Sequence, residues 1–465
     1  MNAETSYLKG FCDNHPACVL KENKDSLCLI AMTPPTKDEF EQLSFACQKK
    51  IEVKVISAHE YKAQYGSVTL PPVLQKVINS EESATTIEYC HSILRQAIDQ
   101  KASDIHIEPH SHGARIRFRV DGVLHIFGEL TLAEVSAIES RFKLLAGVDI
   151  AENRRPQDGQ LTFALQGSEY SFRIATLPTR FGEKVVLRLL ETFRGDLALE
   201  NLGMPTGQLG LVKVALDSPQ GLIIVTGPTG SGKTTTLYSA LNYLNSPERN
   251  LCTVEDPIEM VVTGTTQTQI NLKAGLDFAT ILRALLRQDP DIVMIGEIRD
   301  NQTAEIAIKA AQTGHLVLST LHTNSTVDTL SRLTQMGIAG YLTASALKLI
   351  IAQRLVRRLC GYCRRLSPEP LPSHFPLQTF EHWLATGCER CKSGYLGRHA
   401  LFELLPISSS LQYAIIQYDS PHHIRRLLQE RNVQNLFEIG LAAVVQGITT
   451  YQEVLRIVGE NDAAA

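Results

Sequence analysis

Apolar runs, separated by turn residues and by stretches whose apolar positions recur with a helical period, divide this 465-residue chain into modules. Leu27-Cys-Leu-Ile-Ala-Met32 and Ile51-Glu-Val-Lys-Val-Ile56 read as strands, and residues 36–47 have helical periodicity. Residues 1–62 therefore form a small N-terminal α/β module, and residues 63–82, with Pro71-Pro72, a linker. Residues 83–190 form a second α/β domain. It opens with a helix ending near Gln100 and continues in alternating strands at Asp104-Ile-His-Ile-Glu108, Arg115-Ile-Arg-Phe-Arg-Val120 and Ser171-Phe-Arg-Ile-Ala175. Asp121-Gly122 is a hairpin turn between two such runs. After a connector over 191–205, strand and helix patterns alternate through 206–355, as in a parallel sheet covered by helices. A cysteine-bearing module over 356–398 follows. The apolar stripe of Phe437-Glu-Ile-Gly-Leu-Ala-Ala-Val-Val445 predicts that 399–465 is helical.

Within the alternating segment, Leu222-Ile-Ile-Val-Thr226 is an uncharged strand pattern. Gly227-Pro228-Thr229-Gly230-Ser231-Gly232-Lys233-Thr234 follows it at once and matches G-x-x-x-x-G-K-[ST]; from Thr235 onward the chain reads as helix. The glycines let backbone N–H groups close around phosphate oxygens, and the helix N-terminus adds its positive end. Residues 227–235 are thus expected to bind ATP, with Lys233 reaching the β- and γ-phosphates and the Thr234 hydroxyl placed to ligate Mg²⁺.

Composition narrows the class. Lys plus Arg number 45 against 49 Asp plus Glu, a formal charge of −4, which argues against a protein that coats nucleic acid. No stretch of 18 uncharged apolar residues occurs, and Met1-Asn-Ala-Glu-Thr-Ser6 has no basic start followed by an apolar run. The chain is expected to be cytoplasmic, touching a membrane only through partners. Of the ten cysteines, Cys12, Cys18, Cys28, Cys47, Cys90 and Cys252 are scattered, as free thiols in a reducing compartment would be. Cys360-Gly-Tyr-Cys363 and Cys388-Glu-Arg-Cys391 are paired C-x-x-C knuckles, the pattern of a structural Zn²⁺ site whose four sulfur ligands leave no position open for catalysis.

Three further segments adjoin strands: Thr253-Val-Glu-Asp-Pro-Ile-Glu259, Asp291-Ile-Val-Met-Ile-Gly-Glu297 and Thr313-Gly-His315-Leu-Val-Leu-Ser-Thr-Leu-His322-Thr-Asn324. The second is an apolar strand ending in an acid, the Walker B pattern. Together with the phosphate loop they resemble the assembly ATPases of type II secretion systems and type IV pili. The likeness extends to Ser103-Asp-Ile-His-Ile-Glu-Pro109, Arg155-Pro-Gln-Asp-Gly-Gln160 and Thr176-Leu-Pro-Thr-Arg-Phe-Gly-Glu-Lys-Val-Val-Leu-Arg-Leu-Leu190, and the paired knuckles mark the assembly branch.

The resemblance implies an α/β fold: a RecA-like core, a PAS-like domain before it and an inserted tetracysteine module. It implies a homohexameric motor that uses ATP, Mg²⁺ and Zn²⁺ and works on an inner-membrane platform protein, with no nucleic-acid partner. Glu259 matches the catalytic glutamate, which orients a water in line with the γ-phosphate, and Glu297 the acid that holds Mg²⁺. Glu255 and Asp256 are expected to shape the loop. His315 and His322 would contact the γ-phosphate region or relay nucleotide state to a neighbour. Arg173 and Arg188 match arginines that reach the nucleotide from the second domain, and Arg283, Arg287 and Arg299 those of the core. A retraction or DNA-uptake motor of the same superfamily stays open. A nucleic-acid translocase would need a basic channel with stacking aromatics, and this chain has one Trp. A zinc-dependent interaction module with a degenerate ATPase would not keep the catalytic positions intact. Ser6-Tyr-Leu-Lys-Gly10 lacks the Arg-Leu-Gly start with which some relatives bind a cyclic dinucleotide, which argues against that regulation.

Overall fold

The computed structural model describes residues 18–22, 26–31, 50–55, 80–190, 197–368, 382–417, 420–431 and 433–459. Toward the N-terminus β1 (Cys18–Glu22) pairs antiparallel with β2 (Ser26–Ala31), which pairs parallel with β3 (Lys50–Val55). β2 and β3 fall on the two strands read from the sequence. The helix expected over 36–47 lies outside the described residues, as does most of the 63–82 linker.

The second domain starts with the helix Ser80–Asp99. Strands β4 (Ala102–His110), β5 (Gly113–Val120), β6 (Val123–Thr131), β7 (Gln157–Leu165), β8 (Ser168–Thr179) and β9 (Gly182–Leu190) form one antiparallel sheet in the order β6-β5-β4-β9-β8-β7. Alternation decides which face is covered. Ala114, Ile116, Phe118 and Val120 of β5 pack into a core with Ile93, Leu94 and Phe142 from the flanking helices, while Arg115, Arg117 and Arg119 project from the other face. At the β5–β6 turn Asp121 has φ 49° and Gly122 φ 80°, the left-handed pair that a two-residue hairpin requires.

The core sheet contains β10 (Gly221–Thr226), β11 (Leu251–Glu255), β12 (Thr265–Gln269), β13 (Ile292–Ile295), β14 (Leu316–Leu321) and β15 (Leu347–Leu359). With β18 (Tyr395–Pro406) the strand order is β12-β11-β13-β14-β10-β15-β18, all parallel except β18. Alternate residues of β10 enter opposite layers. Leu222 and Ile224 pack with the helices Phe278–Leu285, Asn301–Gln312 and Thr326–Gln335, and Ile223 and Val225 with Thr206–Leu216 and Lys233–Leu244. β10, β13 and β14 are buried throughout, and strands buried on both faces read as near-continuous apolar runs, which is why these three are visible in the sequence.

One boundary needs correction. The cysteine module was expected to span 356–398 and the helical tail to start at 399, but β15 and β18 form a long antiparallel hairpin that belongs to the core sheet, from Leu349 opposite Pro406 to Leu359 opposite Tyr395. The insertion is the segment between the two strands, carrying β16 (Arg365–Leu366) and β17 (Trp383–Leu384), and the helices begin at Ser409. Among the described residues, no helix is long and apolar enough to cross a membrane.

Candidate active site

The chain leaves β10 at Thr226, turns at Gly227 (φ 149°) and enters the helix Lys233–Leu244. A Cβ on Gly227 would lie 2.5 Å from the Gln353 carbonyl oxygen and 2.6 Å from the Ser231 hydroxyl, so only glycine lets the loop lie this close to β15. Lys233 is 8 % exposed and folds back on the loop, donating to the carbonyls of Gly227 at 2.7 Å and Pro228 at 3.0 Å. Burial, opposed by Glu297 and helped by Arg354, pulls its pKa from 10.5 to about 8. The buried Ser231 hydroxyl has no hydrogen-bond partner. An ammonium held only by carbonyls, an orphaned hydroxyl and a glycine-lined cradle together fit a polyphosphate.

Because β10, β11, β13 and β14 are parallel, the segments leaving their C-terminal ends gather on one edge of the sheet. Glu297, two residues beyond β13, lies 2.6 Å from Arg299 through one oxygen and 3.5 Å from His322 Nε2 through the other. Arg299 also approaches Asp256 at 3.8 Å. Burial works to raise the Glu297 pKa, but Arg299, His322 and Lys233 outweigh it and hold the carboxyl below its ordinary value. Burial and Lys233 lower the pKa of His322 against the pull of Glu297. A cavity of about 300 Å³ opens here, lined by Glu297, Ile298, Arg299, Leu321, His322 and Arg332. Glu297 and the exposed Thr234 offer the oxygen donors that suit Mg²⁺. Glu255 is buried and takes bonds from Thr253 at 2.6 Å, Tyr238 at 2.5 Å and Gln267 at 3.0 Å, so it braces the end of β11. Glu259 lies exposed on the segment after β11, whose next residue, Met260, donates its N–H to Tyr238 Oη at 3.3 Å.

His315 is not at this site. It precedes β14 and so stands at the opposite edge of the sheet, with Nδ1 3.0 Å from the Ala310 carbonyl oxygen. At about 3.3 Å per residue the strand separates it from His322 by roughly 23 Å. The two histidines flank one strand in sequence, and that is what puts them on opposite edges. Arg173 and Arg188 face each other across β8 and β9, and both are more than half exposed. Arg173 pairs with Asp158 at 3.3 Å and Arg188 with Asp104 at 2.8 Å, so within one chain they sit on the sheet of the second domain. Arg283 and Arg287 are exposed, with Arg287 donating to the Arg283 carbonyl at 2.9 Å.

Two neighbours of the phosphate loop were missed in the sequence. Gln353 and Arg354 of β15 lie beneath it: Gln353 accepts from Thr236 at 2.7 Å, and Arg354, 5 % exposed, abuts Gly227. Their position depends on β15 pairing with β10 more than a hundred residues away, and the only local signal is a buried polar pair inside an apolar strand.

The four knuckle sulfurs lie within 4.8 Å of one another, with Cys360–Cys388 at 3.9 Å, Cys363–Cys391 at 3.7 Å and Cys388–Cys391 at 3.6 Å. Metal–sulfur bonds of about 2.3 Å in a tetrahedron set sulfurs about 3.8 Å apart, so the cluster fits a four-thiolate metal site.

A buried strand, a phosphate loop closing on its lysine and an acid at the end of a nearby parallel strand define an ATPase of the P-loop class. Residues 79–456 match the family described as Type II/IV secretion system protein, and the chain belongs to that family. It is 47% identical over 456 residues to the protein transport protein HofB homolog of Escherichia coli strain K12, covering 97% of this chain and 98% of that one. It is 43% identical over 390 residues to the type IV pilus assembly ATPase PilB of Acinetobacter baylyi, covering 82% and 67%, and 41% identical over 459 residues to type II secretion system protein E of Pectobacterium carotovorum, covering 96% and 91%. Among solved structures, the pilus retraction motor PilT with bound ADP is similar with a TM-score of 0.54 at 28% identity, covering 78% of this chain and 95% of that one. The Legionella pneumophila ATPase DotB shares the fold, with a TM-score of 0.60 at 23% identity over 81% and 96%.

Proposed function

We propose that this chain is the subunit of a homohexameric motor that couples ATP hydrolysis to assembly of type IV pili or type II secretion pseudopili. It works in the cytoplasm, peripheral to the inner membrane, by acting on a membrane platform protein. The observation that carries the reading is the convergence of Lys233, Glu297 and His322 at one edge of a parallel sheet. The relatives named as pilus assembly ATPase and type II secretion system protein E support the choice of machine.

In this reading Lys233 and the loop N–H groups bind the phosphates, which replace the Gly227 and Pro228 carbonyls as partners of the ammonium. Thr234 and Glu297 would hold Mg²⁺, which when bound neutralises charge between the β- and γ-phosphates. Glu259 orients the attacking water and takes its proton. Arg173 and Arg188 serve the nucleotide of an adjacent subunit: both side chains are more than half exposed, the pair of Arg173 with Asp158 is exposed and exchangeable for phosphate, and buried Asp104 keeps Arg119 at 3.5 Å when Arg188 leaves it. Zn²⁺ on Cys360, Cys363, Cys388 and Cys391 would be structural. The antiparallel sheet of the second domain, helices on one face, supports its PAS-like reading.

The test is Mg²⁺-dependent ATP turnover by the wild-type chain and by Lys233→Ala, each with and without single-stranded DNA. Turnover that is lost in the variant and indifferent to DNA is expected. Wild-type turnover in Lys233→Ala would sink the site assignment, and stimulation by DNA would favour a translocase.

A further inference from the structure

The loop after β14 carries His322, Thr323, Asn324 and Ser325, and it is fastened to the supports of the phosphate loop on two sides. On the first side stands Thr226, the fully buried residue just before Gly227. Its hydroxyl lies 2.6 Å from the Thr323 hydroxyl and accepts from the Thr323 N–H at 2.9 Å. The carbonyls of Leu321 and Thr323 are each 3.1 Å away. The Thr323 hydroxyl is 2.7 Å from that of Thr329, which donates to the Ser325 carbonyl at 3.1 Å. One direction satisfies the whole chain: Thr226 donates to Thr323, Thr323 to Thr329, and Thr329 to Ser325.

On the second side stands Arg354. Its guanidinium donates to the Asn324 carbonyl at 2.7 Å and to the Asn324 side-chain oxygen at 3.3 Å. It also donates to the Gln353 carbonyl at 3.0 Å, and it lies 3.1 Å from where a Gly227 Cβ would be. A guanidinium this buried is costly to leave short of acceptors, so Asn324 and the wall of the phosphate loop are held by one rigid fork.

A loop pinned at adjacent residues from both directions follows the phosphate loop when that loop rearranges. The loop has a reason to do so, since phosphates would draw Lys233 away from the Gly227 and Pro228 carbonyls. His322, half-exposed and 3.5 Å from Glu297, is the next residue along. We propose that Thr323 and Arg354 are positioning residues that tie the phosphate loop to His322, so that phosphate occupancy sets His322 against Glu297. The inference rests on the reading of His322 as a group that acts at the nucleotide.

A double-mutant cycle on ATP turnover tests it. Thr323→Val keeps the side-chain shape and leaves Thr226 two carbonyl acceptors, so the fold is retained and thermal unfolding checks that it is. The variant is expected to lose about tenfold in kcat with KM changed less than about threefold, and Thr323→Ser to restore the rate. Arg354→Lys keeps the charge but cannot span the same oxygens, and is expected to lose kcat to a similar extent. The deciding result is in the His322→Ala background, where either substitution should cost less than about twofold further. The same tenfold loss in both backgrounds would overturn the coupling and leave the ATPase reading standing. Full turnover by His322→Ala alone would overturn the role of His322 itself, and the coupling with it.

Discussion

Binding of MgATP should take up a proton at alkaline pH, and Lys233 should be the group that accepts it. In the free chain burial holds the Lys233 pKa at about 8. A group with that pKa is protonated in roughly a quarter of molecules at pH 8.5 and about nine-tenths at pH 7. Phosphate oxygens beside the ammonium favour its charged form, so Lys233 in the complex is protonated at both values. The expected uptake is therefore about 0.8 proton per site at pH 8.5 and about 0.1 at pH 7. Titration calorimetry with a non-hydrolysable analogue, in two buffers of different ionisation enthalpy, reads the number directly. The same shift acts on stability. The folded-state pKa lies below the unfolded value of 10.5, so between pH 8 and 10.5 the unfolded chain binds more protons and the stability of the free protein rises with pH. That rise should be missing from Lys233→Met. Equal proton uptake at the two pH values, or an unchanged alkaline rise in Lys233→Met, would refute the argument.

Two more outcomes follow from the site. Glu259→Gln should bind ATP yet stop turnover, whereas Glu297→Gln should also weaken Mg²⁺-dependent binding; normal rates in both variants would reject this division of acid and metal roles. Protein purified without added metal should contain one zinc per chain by elemental analysis. A site of this kind couples roughly 10–16 kcal/mol of metal binding to local folding, so removing Cys388 should unfold the insertion, and a metal-free, fully folded insertion would reject the site.

What could be read from the sequence was what the chain encodes locally. The phosphate loop is a contiguous run whose glycines are needed for local backbone shape, and each knuckle closes within four residues. Both were therefore visible without knowing the fold. Residues whose roles depend on distant strand pairing were not. Arg354 and Gln353 reach the phosphate loop only because β15 lies beside β10, and a polar pair inside an apolar strand does not by itself say which strand is its neighbour. His315 erred in the other direction, since being close to His322 along a strand means being at the far edge of the sheet. In β18, Ala400-Leu-Phe-Glu-Leu-Leu405 is a short apolar run that suits a buried helix or a buried strand equally well, and its antiparallel pairing with β15 decides for strand. Glu259 shows a further limit: its motif is legible, but in the single chain it lies exposed on the segment after β11.

The central claim is that each working site is shared between two subunits, and mixing two inactive variants tests it most directly. Lys233→Ala lacks the phosphate anchor and Arg188→Ala lacks the arginine offered to a neighbour. In a ring assembled from equal amounts of both, about a quarter of interfaces combine an intact loop with an intact arginine. ATP turnover should then recover to about a quarter of the wild-type rate. A mixture no more active than the two variants measured separately would contradict the shared site and the ring mechanism built on it.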